Sequence, residues 1–163
     1  MTLLIANSSG ASEFMLTFDD GPLPGATDKV LQALEGIRAG DGKPVRAGFF
    51  LVGSIPETTW ERRKRYAPYE VWSEKGDLPA HPDLVRQILA AGHLLGNHSA
   101  RHAWFRWPWL NDAAAVQEEI AAWEKLAAPL LDPAAPRLFR PPYLVDTPAV
   151  RQVAAEAGYQ VVM

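Results

Sequence analysis

Short apolar runs alternate with segments of helical periodicity along the sequence, and this rhythm limits the folds that the chain can adopt. The short runs predict buried strands, and apolar residues spaced three and four apart predict helices with one buried face. Strands that alternate with helices form parallel βα units. The rhythm therefore predicts an α/β fold, and periodicity alone leaves open whether the sheet is doubly wound or a barrel. The predicted strands are 14–18, 47–52, 93–96, 137–139 and 159–163; the predicted helices are 27–36, 82–91, one that Asn111 or Asp112 caps, and one that Thr147 caps and Gly158 follows.

The composition narrows the classes of protein to consider. A chain of 163 residues is the size of one ordinary domain, and no linker or repeat divides it, so we expect residues 1–163 to form a single domain. With 48% apolar and 21% charged residues, it has the composition of a globular protein. The net charge is −3 and the basic residues are scattered. This argues against nucleic-acid binding, because phosphate contacts need a concentrated basic face.

The sequence contains no predicted membrane span and no predicted secretion signal. Its apolar runs are far shorter than the ~20 residues that cross a bilayer. Residues 1–13 lack the basic start and the long apolar core of a secretory signal. These features predict a cytoplasmic location, although a secreted or envelope form whose signal had been trimmed would read the same way.

Three clusters of polar residues each follow a predicted strand. Residues 17–22 (TFDDGP) place two adjacent carboxylates in a turn, and residues 97–102 (NHSARH) contain two imidazoles four positions apart. Residues 140–143 (RPPY) place an arginine in a rigid proline loop. A spacing of four would put both imidazoles on one face of a helical turn. Taken singly, each cluster also fits an ordinary turn or loop.

The shared position of the clusters is more informative than any one of them. In parallel α/β folds, the carboxyl ends of the strands meet at one edge, and sites form there. One pocket could therefore gather Asp19, Asp20, His98, His102 and Arg140. The chain has no cysteine, so a metal would need His, Asp or Glu ligands. A carboxylate with two imidazoles suits zinc with an open position for water, and a second carboxylate could serve as the base in hydrolysis.

These residues resemble the first three motifs of the NodB-type polysaccharide deacetylases (carbohydrate esterase family 4). The motifs stand in the family's order, and the resemblance extends from residue 14 to residue 163. It implies a distorted, incomplete (β/α) barrel and an enzyme that removes acetyl groups from N-acetylglucosamine polymers or oligomers. It also implies that Asp20, His98 and His102 bind a divalent metal, commonly zinc.

The resemblance further implies a role for each remaining site residue. Asp19 is expected to be the general base, Arg140 to pair with it and orient it, and the backbone amide of Tyr143 to help hold the oxyanion. Leu144 is a departure, because the family often has glycine there. A leucine could narrow the groove at this point, but it removes no catalytic group.

The family's fourth and fifth motifs, which include a histidine general acid, would lie beyond residue 163. We therefore expect residues 1–163 to be a C-terminally truncated domain that lacks the last strands of the barrel. Such a chain is expected to be a weak or inactive catalyst on its own. An open sheet edge would also offer unpaired backbone groups, so the chain could self-associate through it.

Two features of the sequence allow more than one interpretation, and a third, His93, has one expected role. The long connection 54–81 either forms a wall of the substrate groove or is a loop that extends over the protein surface. The aromatic residues that follow His102 fit either the core or sugar stacking, with Trp107 and Trp109 favoured as the sugar contacts. His93 lies within a predicted strand and is expected to be structural.

Two other functions compete with deacetylation of a glycan. Relatives of the family hydrolyse small amides or imides, but these often alter the metal ligands, whereas Asp20, His98 and His102 are all present here. The other alternative is a remnant that binds metal or glycan without turnover.

Overall fold

The structure, a computed structural model, describes residues 3–6, 12–57, 76–107 and 110–163. Its sheet has six strands in chain order, of which the first pairs antiparallel with the second and the other five run parallel. The parallel strands curl into a half-barrel flanked by helices, which confirms the incomplete (β/α) barrel predicted from the sequence. The strands are β1 Leu3–Ala6, β2 Ser12–Asp19, β3 Ala47–Leu51, β4 Leu94–Asn97, β5 Leu138–Phe139 and β6 Gln160–Val161.

Four α-helices connect or follow these strands. They are α1 Thr27–Glu35, α2 Pro82–Ala90, α3 Ala113–Ala127 and α4 Pro148–Glu156, and a short 3-10 helix covers Pro142–Leu144. Every predicted strand and helix is present, with bounds within about two residues of those predicted. In the described ranges, no helix is both long and apolar enough to cross a bilayer.

The helix caps follow the sequence closely. The Asp112 carboxylate accepts a hydrogen bond from the Ala115 amide at 2.8 Å, which selects Asp112 over Asn111 as the cap of α3. The Thr147 hydroxyl accepts one from the Val150 amide at 3.2 Å at the start of α4. These bonds satisfy amide groups that have no partner within the first turn of a helix.

Two sequence expectations need correction. Strand β1 was not predicted, because four residues show too little alternation to distinguish a strand; its pairing with β2 supplies the missing information. The second expectation concerns the helix predicted over 27–36: its apolar spacing extends to Ile37, but α1 ends at Glu35 and the Ile37 side chain is exposed. The chain has already left the helical path there.

The core between the sheet and the helices forms on one face of the strands. Phe49 and Leu51 of β3 point to this face and pack with Val85 and Ile88 of α2. Trp123 of α3 joins them, and its indole N–H donates to the Leu51 carbonyl at 2.7 Å. The apolar stripe predicted for α3 is buried along its whole length, at Val116, Ile120, Trp123 and Ala127.

The opposite face of the sheet, inside the curl, packs around Phe50. This ring is fully buried and contacts the neighbouring strands. Gly96 of β4 lies directly beside it, and a Cβ at that position would overlap the ring. Glycine therefore leaves the space that Phe50 fills. The guanidinium carbon of Arg140 lies 4.3 Å from the centre of the same ring, so Phe50 also supports a residue of the candidate site.

His93 has a structural environment, as expected. Its ring is buried just before β4, and the Ala47 amide donates to its Nδ1 at 3.3 Å. Burial lowers the pKa of His93, so the imidazole is neutral at neutral pH. The side chain thus ties the start of β3 to the start of β4, at the opposite end of these strands from the three clusters.

Candidate active site

The three polar clusters meet at the carboxyl edge of the parallel strands. They follow β2, β4 and β5, which are linked through the ladder from β2 to β5. All six residues singled out in the sequence contact at least one other residue of this group. The six are Asp19, Asp20, His98, His102, Arg140 and Tyr143.

The backbone is strained at this edge. In the described part of the chain, the non-glycine residues with positive φ all lie in the three clusters or next to them: Asp20 (64°), Ser99 (61°), His102 (56°), Tyr143 (57°) and Leu144 (53°). A left-handed conformation costs a residue with a Cβ roughly 1–2 kcal/mol. Strain of this kind is concentrated at ligand and active sites, where the surrounding structure imposes it.

The conformation of Leu144 shows what is lost by having leucine where glycine is often found. Its φ of 53° is one that glycine adopts without a steric penalty. A glycine at this position would therefore relieve strain, which gives a physical reason for the family's preference. The leucine side chain is exposed at the rim of the site.

The segment between His98 and His102 is not the helical turn that the spacing predicted. The carbonyl groups of Ser99 and Ala100 accept hydrogen bonds from the amides of Gly53 and Ser54, at 3.0 and 2.6 Å. Bonds to the neighbouring strand's loop thus replace the bonds of a helix. The two imidazole rings nevertheless lie 5.1 Å apart, so the loop achieves the proximity that the spacing suggested.

Asp20, His98 and His102 form a cluster that could hold a metal ion. Their ligand atoms all lie within 4.8 Å of one another. Asp20 Oδ1 is 3.1 Å from His102 Nε2 and 3.8 Å from His98 Nε2. One carboxylate and two imidazoles with room for further ligands match the donor set of catalytic zinc sites. The residues therefore fit a divalent ion, and the choice among metals is not fixed by the geometry.

His98 is held in the tautomer that a metal ligand requires. Its Nδ1 lies 2.7 Å from the backbone carbonyl oxygen of Arg140. A carbonyl oxygen only accepts hydrogen bonds, so Nδ1 carries the hydrogen and Nε2 keeps its lone pair for the cluster. Burial, together with the neighbouring His102, lowers the pKa of His98. The imidazole is therefore neutral at neutral pH and available to bind an ion.

Asp19 has a different partner from its neighbour Asp20. Arg140 Nη1 donates to Asp19 Oδ1 at 2.6 Å and to the Thr17 hydroxyl at 2.9 Å. Thr17 and Asp19 are two apart on β2 and so project from the same face of the sheet. The Arg140 side chain is buried, and its Nε donates to the Val162 carbonyl at 3.2 Å. Arg140 thus orients Asp19 with its side chain and His98 with its backbone.

Glu119 supports the histidine loop, although the sequence interpretation did not identify it. It lies on α3, fully buried, and its two carboxylate oxygens accept from the Arg101 amide at 2.8 Å and from Arg101 Nε at 2.5 Å. Arg101 stands between His98 and His102, so the bond holds the middle of the loop. The signal in the sequence was an acidic residue within the apolar stripe of α3, between Val116 and Trp123.

We expect Glu119→Ala to weaken both the fold and the metal affinity. Loss of the carboxylate leaves the Arg101 amide without its acceptor, which costs about 1–3 kcal/mol of unfolding free energy. Loss of an outer partner of a metal site typically lowers metal affinity about 10–100-fold. Thermal denaturation and zinc titration measure the two effects.

Glu118→Ala is the matched control for this variant. Glu118 is the neighbouring acid, is mostly exposed and bonds only to the outer Arg101 Nη2 among the described residues. Its loss should change stability by less than about 0.5 kcal/mol. Equal effects of the two substitutions would contradict the proposed support of the loop by Glu119.

Tyr143 presents its backbone and its ring at the same edge. The amides of Leu144 and Val145 donate to the carbonyls of Pro141 and Pro142, whereas the Tyr143 amide has no acceptor within the described residues. The Tyr143 ring is 62% exposed and lies edge-on to His102, with 4.8 Å between ring centres. The residue therefore offers an N–H donor and an exposed aromatic face beside the cluster.

The aromatic residues after His102 divide between core and surface. Phe105 is fully buried in the core between α3 and α4. Trp104 and Trp107 are exposed, and Trp104 is the one that approaches Tyr143, at 6.3 Å between ring centres. Trp109, which the sequence favoured as a sugar contact, lies outside the described residues.

Most of the long connection, residues 58–75, also lies outside the described residues. Its two ends return to the candidate site. A Cβ at Gly76 would lie 3.3 Å from the Gly21 Cα, which shows how closely the connection approaches the turn after Asp20. Asp77 is buried and accepts from the amides of Ile55 and Ala80, so it fixes both ends together. Whether the connection walls a groove stays a prediction.

Comparisons with known proteins agree with the fold and with the motifs. The sequence profile of a family described as polysaccharide deacetylase matches residues 6–162. A chitooligosaccharide deacetylase from Bradyrhizobium sp. (strain ANU 289) is 30% identical over 152 residues, which cover 92% of this chain and 54% of that protein. A peptidoglycan-N-acetylglucosamine deacetylase from Bacillus cereus is 31% identical over 148 residues, covering 91% of this chain and 54% of that protein.

Solved structures of deacetylases and esterases are also similar to this chain in fold. A family 4 carbohydrate esterase from Streptomyces lividans, in complex with acetate, superposes with a TM-score of 0.61 at 28% identity, covering 91% of this chain and 60% of that one. The chitin deacetylase from the fungal pathogen Colletotrichum lindemuthianum superposes with a TM-score of 0.63 at 28% identity, covering 91% and 54%. The chain spans about half the length of the curated relatives it matches.

Two expectations from the sequence stay predictions. One is that residues 1–163 form a single truncated domain, and the other is that the chain self-associates.

Proposed function

Because this chain belongs to the polysaccharide deacetylase family, we propose that its site is that of a metal-dependent N-deacetylase. The proposed reaction is hydrolysis of the acetamido group of N-acetylglucosamine units in an oligosaccharide or polysaccharide. Relatives whose names state such substrates, among them the chitooligosaccharide and peptidoglycan deacetylases, support this choice of substrate class.

One observation carries the proposal: two adjacent aspartates have different partners. Asp19 pairs with buried Arg140, whereas Asp20 faces the two imidazoles. The hydrogen bond from the Arg140 guanidinium orients the Asp19 carboxylate, which suits a base. Proximity to two imidazole nitrogens suits Asp20 to bind an ion with them. We therefore assign Asp19 as the general base and Asp20, His98 and His102 as the metal ligands.

The metal's contribution is Lewis acidity, which polarises a carbonyl group and makes water more acidic; we favour zinc for this role. The chain's own residues perform the remaining tasks. Asp19 accepts a proton from the water that adds to the acetyl carbon, and Arg140 holds Asp19 in place for this transfer. The Tyr143 amide donates to the oxyanion that develops on the former carbonyl oxygen. Breaking the C–N bond then releases acetate and the sugar amine, and an acid must deliver one proton to the leaving nitrogen to balance the proton that Asp19 accepted from water.

Release of free amine from an N-acetylchitooligosaccharide tests the proposal. Residues 1–163 are expected to turn over slowly at best, so a sensitive assay is needed. We expect the amine and acetate that appear to be equal in amount, their release to stop on addition of a chelator and to resume when zinc is restored. Turnover of small amides or imides without turnover of the glycan would favour the small-amide alternative. Metal binding without turnover of either class would favour the non-catalytic remnant.

A further inference from the structure

Exposed apolar side chains are concentrated next to the candidate site. Of the large hydrophobic side chains that are exposed in the described ranges, four of six belong to two short segments, 104–107 and 143–144. Contiguous exposed apolar surface is uncommon on soluble domains and marks places where ligands bind. The six are Leu16, Ile37, Trp104, Trp107, Tyr143 and Leu144.

The aromatic members form a row of rings that leads away from the metal cluster. Tyr143 lies 4.8 Å from His102, Trp104 lies 6.3 Å from Tyr143, and Trp107 lies 5.4 Å from Trp104, all measured between ring centres. The Trp104 and Trp107 rings meet at 89°, so the edge of one points towards the face of the other. Trp104 packs against its neighbour in this way and still remains 41% exposed.

We propose that Trp104, together with Tyr143, forms a subsite for the pyranose ring next to the sugar that loses its acetyl group. The inference rests on the proposed function, and it specifies an oligomeric glycan rather than a single sugar. The C–H groups on one face of a pyranose make an apolar surface, and an indole offers a flat apolar face of similar breadth together with a polar N–H. Trp104 lies one ring further from His102 than Tyr143 does, which suits it to the neighbouring unit rather than to the reacting one.

This assignment differs from the expectation drawn from the sequence. The sequence interpretation favoured Trp107 and Trp109 as the sugar contacts. The fold instead brings Trp104 beside Tyr143, on a loop that follows a different strand. Trp107 contacts Trp104 and supports it.

Binding measurements in an Asp19→Asn background test the subsite without depending on turnover. The probes are the N-acetylglucosamine monosaccharide and its β-linked tetramer, titrated by calorimetry with zinc present. We expect Trp104→Ala to lower the preference for the tetramer over the monosaccharide about 10–100-fold, the order of magnitude by which loss of an aromatic stacking partner weakens binding of a nucleic-acid base. Trp104→Phe should retain an intermediate preference, because a smaller ring still stacks.

Each other outcome has a definite meaning. An unchanged preference in Trp104→Ala would overturn the subsite while leaving the proposed function intact. An equal loss for monosaccharide and tetramer would show general damage to the site and would also overturn it. Failure of the Asp19→Asn parent to bind either sugar would count against the proposed function and the subsite together. Thermal denaturation of each variant shows whether it is folded, and Trp104→Phe decides the question if Trp104→Ala does not fold.

Discussion

Asp19→Asn is expected to lower kcat and kcat/KM together by about 10²–10⁴-fold while leaving the bound metal in place. Asparagine has the shape of aspartate, so Arg140 can still donate to Oδ1, but the amide cannot accept a proton. The substitution therefore removes only the proton transfer to a base and leaves the hydrogen bond to Arg140. Steady-state release of amine from an N-acetylchitooligosaccharide measures the rate, and elemental analysis of the same preparation measures the metal.

Asp20→Asn is the matched control, because it makes the same chemical change one residue further along. It should reduce metal content, since Asp20 supplies the only carboxylate of the cluster in the described residues. The two variants should therefore differ in metal content: Asp19→Asn should be inactive with metal bound, and Asp20→Asn should be depleted of metal. If Asp19→Asn empties the site and Asp20→Asn does not, the two roles have been exchanged.

Replacing His98 and His102 together by alanine is expected to remove the bound metal. The parent chain should hold one divalent ion, and the double variant should bind zinc more than ~100-fold less tightly, because loss of an outer partner alone typically costs 10–100-fold. Elemental analysis of protein purified without chelator and a competition titration with a zinc dye measure the change.

His93→Asn is the control for this experiment. It also removes an imidazole, but from the opposite end of the strands, and asparagine can still accept the hydrogen bond from the Ala47 amide. Metal content should remain that of the parent. Because His98 is buried, His102→Gln alone serves as a second test should the double variant fold poorly. Stoichiometric metal in a folded double variant would refute the assignment of these ligands.

The fold could be predicted from the sequence to the extent that its signals are local. The caps at Asp112 and Thr147 and the buried stripe of α3 depend on residues within a few positions of one another, and the structure has them as predicted. The alternation of strands and helices likewise predicted that the strands run parallel to one another. Strand β1 could not be predicted in this way, because its evidence is its pairing with β2 rather than its own pattern.

The candidate site was predictable for a different reason. Parallel strands bring their carboxyl ends to one edge, so three clusters that each follow a strand had to come close together. That argument predicts which residues lie near one another, but not how their side chains and backbone are arranged. The spacing of His98 and His102 predicted a helical turn for the histidine segment, where the structure has a loop held by Gly53, Ser54 and Glu119.

The sequence by itself therefore determined the alternation of parallel strands and helices, the edge at which the polar clusters meet and the residue types available there. Only the tertiary structure decided which groups are partners. Arg140 bonds to Asp19 across 121 positions in the chain, its carbonyl fixes the tautomer of His98, and Trp104 faces Tyr143. Contacts of this kind depend on how strands curl and which side chains fill the space between them. No short window of sequence contains that information, because the contacting atoms come from separate strands and loops that only packing brings together.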